Sequence, residues 1–312
     1  MKKIVLTLFI STIILSHTMF AKTVLLFGGK TGWIGQQLIP IFSNSGYQVH
    51  CAESRLENRT DIINEIKKIN PDVIVSAAGL TGTPNVDWCE DHKQETLRTN
   101  VIGTLNLADI CATLDIHLTN LGTGCIYEYD ADHNLENLKG YTEEDTPNFS
   151  GSFYSKTKAM VDGLLLNYPN VLNLRIRMPI SDDLHPKNFI TKITRYQKVI
   201  NIPNSMSVLT DLLPLIPQMI ERKLTGNYNF TNPGVISHNQ ILDLYKKYID
   251  PSFTYENFTL NEQAQILKAK RSNNCLDCSK LLKEFPHIPS IQESIVNVFK
   301  RMTQSIKGNQ QE

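Results

Sequence analysis

From residue 22 the chain alternates between short apolar runs and longer stretches with helical spacing. Lys22-Thr-Val-Leu-Leu-Phe27 is nearly all apolar, the pattern of a parallel strand buried on both faces. A Gly-rich turn follows, and Trp33 to Ser45 then reads as a helix. Tyr47 to Ala52 predicts a second strand, Asp61 to Ile69 a helix stopped by Asn70-Pro71, and Asp72 to Ala77 a third strand. Glu95 to Thr113 predicts a long helix and Ile116 to Leu121 a fourth strand reaching towards Tyr127. Ser152 to Asn167 is helical, and Val171 to Arg177 is a fifth strand ending before Pro179. Strands separated by helices in this order specify an α/β fold, a doubly wound parallel sheet.

After Pro179 the rhythm breaks into segments punctuated by Pro and Asn: Ile202-Pro-Asn, Asn232-Pro-Gly and Phe285-Pro-His. The expected division is therefore a dinucleotide-binding domain over 22–178 and a smaller, mainly substrate-binding domain over 179–312, with some strand exchange between them. Residues 1–21 stand apart as a hydrophobic segment. Lys2 and Lys3 precede the apolar run Ile4 to Leu15, and Ala21 offers a cleavage point, which together resemble a secretory signal. Met19, at the third position back from a cut after Ala21, is larger than cleavage sites prefer and would serve as an internal start three residues before Lys22.

Composition narrows the class. Apolar residues make up 41% and charged residues 20%, enough to bury a sizeable core. Lys plus Arg and Asp plus Glu both number 31, so the basic excess of a general nucleic-acid binder is lacking. Six scattered cysteines are too few for a disulfide scaffold. Cys275-Leu-Asp-Cys278 is a lone pair without further ligands, so no metal is expected.

Gly29-Lys-Thr31-Gly32-Trp33-Ile34-Gly35 lies between the first strand and the first helix. Glycines at that spacing allow a tight turn, close approach to a pyrophosphate and close helix–strand packing, with the helix N-terminus supplying N–H groups to the anion. This makes the sheet Rossmann-type. A dinucleotide site places a ribose-reading residue at the end of the second strand, where Glu53 and Arg55 both stand. A guanidinium there suits a 2′-phosphate, so NADPH is the expected cofactor, with Glu53 leaving room for NADH. Ala77-Ala78-Gly79 follows the third strand.

Tyr154 and Lys158 are four apart in a predicted helix and share a face, which brings the ammonium near the phenol and would lower its pKa. Thr123 and Cys125 stand at the end of the fourth strand, at the sheet edge where ligands bind. If the strand continues, both face the pocket. A capping threonine and a buried structural cysteine are the plainer alternatives.

The Gly29–Gly35 loop, Ala77-Ala-Gly79, Thr123 and Tyr154/Lys158 together resemble an extended short-chain dehydrogenase/reductase. Pro84-Asn-Val-Asp-Trp-Cys-Glu90, Thr123-Gly-Cys-Ile-Tyr-Glu128, the block from Thr146 to Lys158, Arg177-Met-Pro-Ile180, Asn188-Phe-Ile-Thr-Lys192, Ile202-Pro-Asn-Ser-Met206 and Asn229 to Gly234 narrow this further. They resemble the bifunctional nucleotide-rhamnose synthase/epimerase-reductases over about Lys22 to Ser290. That resemblance implies NADPH-dependent 3,5-epimerisation and 4-keto reduction of UDP-4-keto-6-deoxy-glucose, or its dTDP counterpart, to the L-rhamnose nucleotide. It also implies Cys125 and Lys192 as epimerase acid/base groups, Tyr154 as the reductase acid and Lys158 as the ribose-holding partner. Asn188, Asn204, Asn229 and Arg271 are the candidate substrate contacts.

A 4,6-dehydratase is disfavoured because Gly124 and Cys125 stand where such enzymes carry acidic residues. A reductase without epimerase activity and a non-catalytic cofactor-binding subunit remain as rivals. The partners expected are a nucleotide sugar and, as an assembly, a homodimer. Both reagents being cytosolic, the expected location is cytoplasmic, with a secretory signal or membrane anchor at 1–21 as the alternative.

Overall fold

The computed structural model describes residues 22–308, so the reading of 1–21 lies outside the described residues. Among those described, no helix is long and apolar enough to cross a membrane.

Six parallel strands form the central sheet: β1 (Thr23–Phe27), β2 (Gln48–Cys51), β3 (Val73–Ser76), β4 (His117–Thr123), β5 (Val171–Ile176) and, after the short β6 (Lys198–Val199), β7 (Gly226–Asn229). Their order is β2-β1-β3-β4-β5-β7. The expected Rossmann-type doubly wound sheet is thus present. Strand order reverses between β1 and β3, which opens a crevice beyond the carboxyl ends of those two strands.

Helices cover both faces because β1 is apolar and buried at every position from Val24 to Phe27. Val24 and Leu26 join one buried cluster with helix α1 (Trp33–Asn44) and with Leu212, Ile216 and Met219. Leu25 and Phe27 join the other, with helix α2 (Arg59–Ile69) and the helices Thr104–Thr113 and Phe153–Leu165. The period-2 alternation of strand side chains thereby divides one run of text between two cores. The predicted helix Glu95–Thr113 begins at Lys93 and carries a wide π-helical stretch, Arg98–Gly103, before regular turns resume.

Beyond Pro179 the chain leaves and returns. Ile180, Ile190, Met206, Ile241, Ile295 and Phe299 share a third core, built around the helices His238–Tyr248 and Ile291–Gly308. Residues 209–230 instead pack on the first sheet, and β7 pairs directly with β5. A two-stranded ribbon, β6 with β8 (Glu256–Asn257), rims the space between the third core and the main sheet.

Candidate active site

A cavity of about 1220 Å³ runs from the crevice at β1 and β3 to the third core. Its cofactor end is made by backbone fit. Gly28 adopts φ +83°, and a Cβ there would lie 2.9 Å from the Ala77 carbonyl carbon. A Cβ on Gly32 would lie 2.5 Å from the Gly28 oxygen, and one on Gly35 would collide with the same oxygen. Gly29 turns inward against Cys51 and Leu26. Of the three spaced glycines, then, Gly32 lines the cavity, whereas Gly29 and Gly35 permit packing beneath it. Gly28, outside the expected pattern, makes the turn.

Helix α1 begins at Trp33 with Gly32 as its N-cap, no capping side chain and no acidic residue in its first turn. Its leading N–H groups therefore retain the capacity for an anion at the cavity wall, which fits a dinucleotide pyrophosphate. Thr31, Ile34, Ala77, Ala78 and Gly79 line the same space. Trp33 is fixed there by stacking on His185 and by donating its Nε1 hydrogen to Asp183 at 2.8 Å. At the end of β2, Arg55 is exposed on the cavity and forms no ion pair among the described residues. Glu53 is occupied by Lys30 at 2.6 Å, and Arg59 by Asp109.

The reacting groups meet in the middle. β4 ends at Thr123, and Gly124-Cys125 turns away from the strand, so the expected strand face does not continue. Cys125 still lines the cavity, because its backbone N–H is held by Thr123 Oγ1 at 3.1 Å. That acceptor role leaves the Thr123 hydroxyl hydrogen available to the Tyr154 phenol, whose pKa it draws downward.

Tyr154 and Lys158 come from the helix Phe153–Leu165, whose start is fixed twice. Ser152 caps it through the Ser155 N–H at 3.0 Å, and Glu90 accepts the Phe153 N–H at 2.6 Å. A carboxylate at a helix N-terminus is favoured by the helix dipole, which gives part of the Pro84–Glu90 block a role.

Burial pushes the Tyr154 phenol up, against the downward pull of the Thr123 hydroxyl. This is opposite to the direction expected from the neighbouring ammonium. Lys158 is itself deeply buried and pushed down to about 8, which Asp162 one turn on resists. Asp162 in turn is clamped by Arg175 at 2.6 Å and by Asn173 and Asn227. The site therefore holds a neutral, proton-bearing phenol until a bound group changes the field, as an acid requires.

Facing these groups, the helix Phe189–Ile193 sends Lys192 into the cavity, half-buried. Burial and the like charge of Lys187 both push its ammonium down. Arg271 also lines the cavity, held by Asp87 at 2.8 Å.

Residues 25–195 match the "NAD dependent epimerase/dehydratase family". The chain belongs to that family. Within it, the chain is 58% identical over 269 residues to the "Bifunctional dTDP-4-dehydrorhamnose 3,5-epimerase/dTDP-4-dehydrorhamnose reductase" of Arabidopsis thaliana, covering 86% of this chain and 89% of that protein. A trifunctional UDP-glucose 4,6-dehydratase/UDP-4-keto-6-deoxy-D-glucose 3,5-epimerase/UDP-4-keto-L-rhamnose-reductase of the same plant is 56% identical, and the match spans 40% of that longer protein. The crystal structure of the UDP-rhamnose synthase from Acanthamoeba polyphaga mimivirus superposes with a TM-score of 0.86 at 42% identity, covering 91% of this chain and all of that one.

The family fold brings Thr123, Cys125, Tyr154, Lys158, Lys192 and Arg271 together. It does not bring in three asparagines. Asn188, Asn204 and Asn229 are wholly buried. Asn188 caps the Lys192 helix and donates to the Ser181 and Asp183 carbonyls. Asn204 accepts from Arg177 at 2.8 Å, and Asn229 donates to the Tyr141 and Asp277 carbonyls. Each satisfies backbone or buried charge, so their expected role as substrate contacts is corrected to a structural one. Cys275 and Cys278 are both buried, and Cys278 contacts Thr231 at 3.1 Å. Sequence reasoning passed over Lys30, Lys187, Arg195, Lys198 and Lys270, all on the cavity wall. Scattered lysines carry no motif, so only the fold could gather them.

Proposed function

We propose that this chain is a nucleotide-sugar epimerase-reductase that converts a 4-keto-6-deoxy-hexose nucleotide to the L-rhamnose nucleotide, using NADPH in preference to NADH. The carrying observation is that Thr123, Cys125, Tyr154, Lys158 and Lys192 line one cavity with an anion-ready helix start. A bound nicotinamide cofactor would supply the hydride for carbon 4. Everything else falls to the chain's own groups.

Carbons 3 and 5 flank the 4-keto group, so loss of either proton moves an electron pair onto the carbonyl oxygen. The Thr123 and Tyr154 hydroxyls are the donors for that oxygen. Cys125 and Lys192 are the groups that remove and return carbon-bound protons. An amine made less basic by burial is better matched to that work near neutral pH. Tyr154 then protonates the carbon 4 alkoxide, and Lys158 holds the nicotinamide ribose. Arg55, free of any carboxylate among the described residues, is assigned to the 2′-phosphate.

Lys187, Lys192, Arg195, Lys198, Lys270 and Arg271 gather on the substrate side of the cavity without a lining carboxylate. A nucleoside diphosphate is the substrate class that such a wall suits.

The test is incubation of the purified protein with UDP-4-keto-6-deoxy-glucose and NADPH in D2O. NADPH oxidation with UDP-L-rhamnose deuterated at carbons 3 and 5 is expected. Oxidation without deuterium at either carbon would leave a simple reductase, and no oxidation with either the UDP or the dTDP sugar would refute the reading.

A further inference from the structure

The loop between β5 and the Lys192 helix is tied to both lobes through two neighbouring carboxylates. Asp182 accepts from Arg301, on the helix Ile291–Gly308 of the third core, at 2.6 Å. Asp183 instead accepts the Trp33 indole N–H at 2.8 Å, from the first turn of the cofactor helix α1. His185 broadens that contact by stacking on the indole, with ring centroids 5.3 Å apart and planes within 7°. One turn along α1, Gln37 accepts the Ser181 hydroxyl at 3.3 Å. Trp33 is only 5% exposed. A plain apolar ring would satisfy its packing, but a buried indole N–H needs an acceptor. Asp183, from the far side of the cavity, is that acceptor.

The same loop residues set the start of the helix Phe189–Ile193. The other oxygen of the Asp183 carboxylate accepts the His185 N–H at 2.9 Å, and the Asp183 carbonyl accepts the Asn188 amide at 2.7 Å. The His185 carbonyl takes the Asn188 N–H at 2.9 Å. Asn188 Oδ1 then caps the helix through the Ile190 N–H at 3.2 Å. Lys192 follows within the next turn and lines the cavity. A helix of five residues has little stability of its own, so its direction depends on the cap and on what the cap leans against. Hydrogen bonds thus lead from the residue after Gly32 to the cap of the helix that carries Lys192.

We propose that Asp183 is a positioning residue for the epimerisation half-reaction: anchored on Trp33, it fixes the loop that aims Lys192 into the cavity. The inference rests on the reading of Lys192 as an acid/base group. Asp183 acts on the reacting atoms only through Lys192. Proton transfer demands close placement, and a misplacement of about 1 Å can cost on the order of 10²-fold in rate.

The test separates the two half-reactions. Solvent deuterium exchange at carbons 3 and 5 of UDP-4-keto-6-deoxy-glucose is measured with saturating NADP+, which fills the cofactor site without supplying hydride. Reduction of the already epimerised sugar is measured with NADPH. In Asp183→Ala, with folding checked by melting and NADPH binding, exchange at one of the two carbons should fall about tenfold or more, while reduction stays within about threefold of wild type. A merely structural role would lower both together, and that result would overturn the proposal, as would normal exchange at both carbons. Asp183→Asn keeps an oxygen for the indole and should exchange faster than Asp183→Ala; equal losses would overturn the anchoring on Trp33.

Trp33→Phe breaks the same bond from the other end and keeps a ring against His185. Its exchange should fall in the same way, and the double variant should fall no further than the slower single one, as two ends of one bond require. Losses that multiply would overturn the pairing. Should Asp183→Ala fail to fold, normal exchange in folded Trp33→Phe would overturn the proposal by itself. Failure of the underlying reading would show separately, as absent exchange in the wild type or normal exchange in Lys192→Ala.

Discussion

The two ends of the cavity are built on different principles. The cofactor end consists of consecutive residues at strand ends, where Gly28, Gly32 and Gly35 fit because the backbone leaves no room for a Cβ. Its charges are mixed, with Lys30 and Arg55 beside Glu53 and Glu57. The substrate end is assembled from segments around residues 187–200, 238 and 258–273, and its charged lining residues are all cations. Backbone fit leaves a contiguous motif, whereas a charge field can be supplied from any point of the chain that the fold brings near. Between the two ends stand Thr123 and Tyr154, which belong to both halves of the proposed reaction, and Cys125, which belongs to the epimerisation half.

The largest effect is expected at that junction. Tyr154→Phe removes only the phenolic proton, so NADPH binding should stay within about twofold while reduction falls by roughly 10² to 10⁴, the usual worth of general acid/base catalysis. Single-turnover hydride transfer with the already epimerised 4-keto sugar measures it, and turnover within threefold of wild type would remove Tyr154 from the mechanism.

Cys125→Ala separates the half-reactions. Deuterium exchange at one of carbons 3 and 5 should drop by about 10² or more, while reduction of the epimerised sugar persists. Normal exchange at both carbons would make Cys125 structural, in keeping with the more common fate of cysteine.

A smaller effect should appear at the cofactor end. Arg55 carries no competing ion pair among the described residues, and a charge-assisted hydrogen bond contributes about 1.5–3 kcal/mol. Arg55→Ala should therefore weaken NADPH by roughly 10- to 100-fold and leave NADH nearly unchanged. Titration of both cofactors checks this, and equal losses would assign the 2′-phosphate elsewhere, with Lys30 the next cation on that wall.

What the sequence made legible follows the same division. Buried parallel strands are read from runs such as Val24–Phe27, and the boundaries of β1 to β5 fall within a residue or two of expectation, apart from the added end of β4. The pairing of β7 with β5 was not legible, since Gly-Asn-Tyr-Asn lacks the apolar run of a central strand. Its asparagines are there for a reason the text does not show. Asn227 donates to Asp162 at 3.1 Å and joins Asn173 in the buried network beneath the Lys158 helix. The same blindness explains the three misplaced asparagines, because a polar residue in a motif looks identical whether it serves a ligand or a buried carbonyl. Arg175 in β5 and Arg177 just after it are both buried, so charge lies beneath the site where the apolar text around it gives no hint of a partner.

The smallest effect sharpens the contrast most. Asn229 lies beneath the substrate end without lining it, and its amide donates to the Tyr141 and Asp277 carbonyls at 2.8 and 2.9 Å. Asn229→Ala takes a donor from both carbonyls, of which that of Tyr141 keeps the Asp277 N–H at 2.8 Å, and leaves that of Asp277 short in the core, at about 1–3 kcal/mol. The melting temperature should fall by several degrees for a chain of this size, while KM for the nucleotide sugar stays within about twofold. Arg271→Ala is the matched control on the cavity wall: it should raise KM and lower the melting temperature less than Asn229→Ala, since its half-buried partner Asp87 keeps the Ala269 N–H. A large KM rise in Asn229→Ala with unchanged stability would return that asparagine to the substrate and erase the distinction between wall and support.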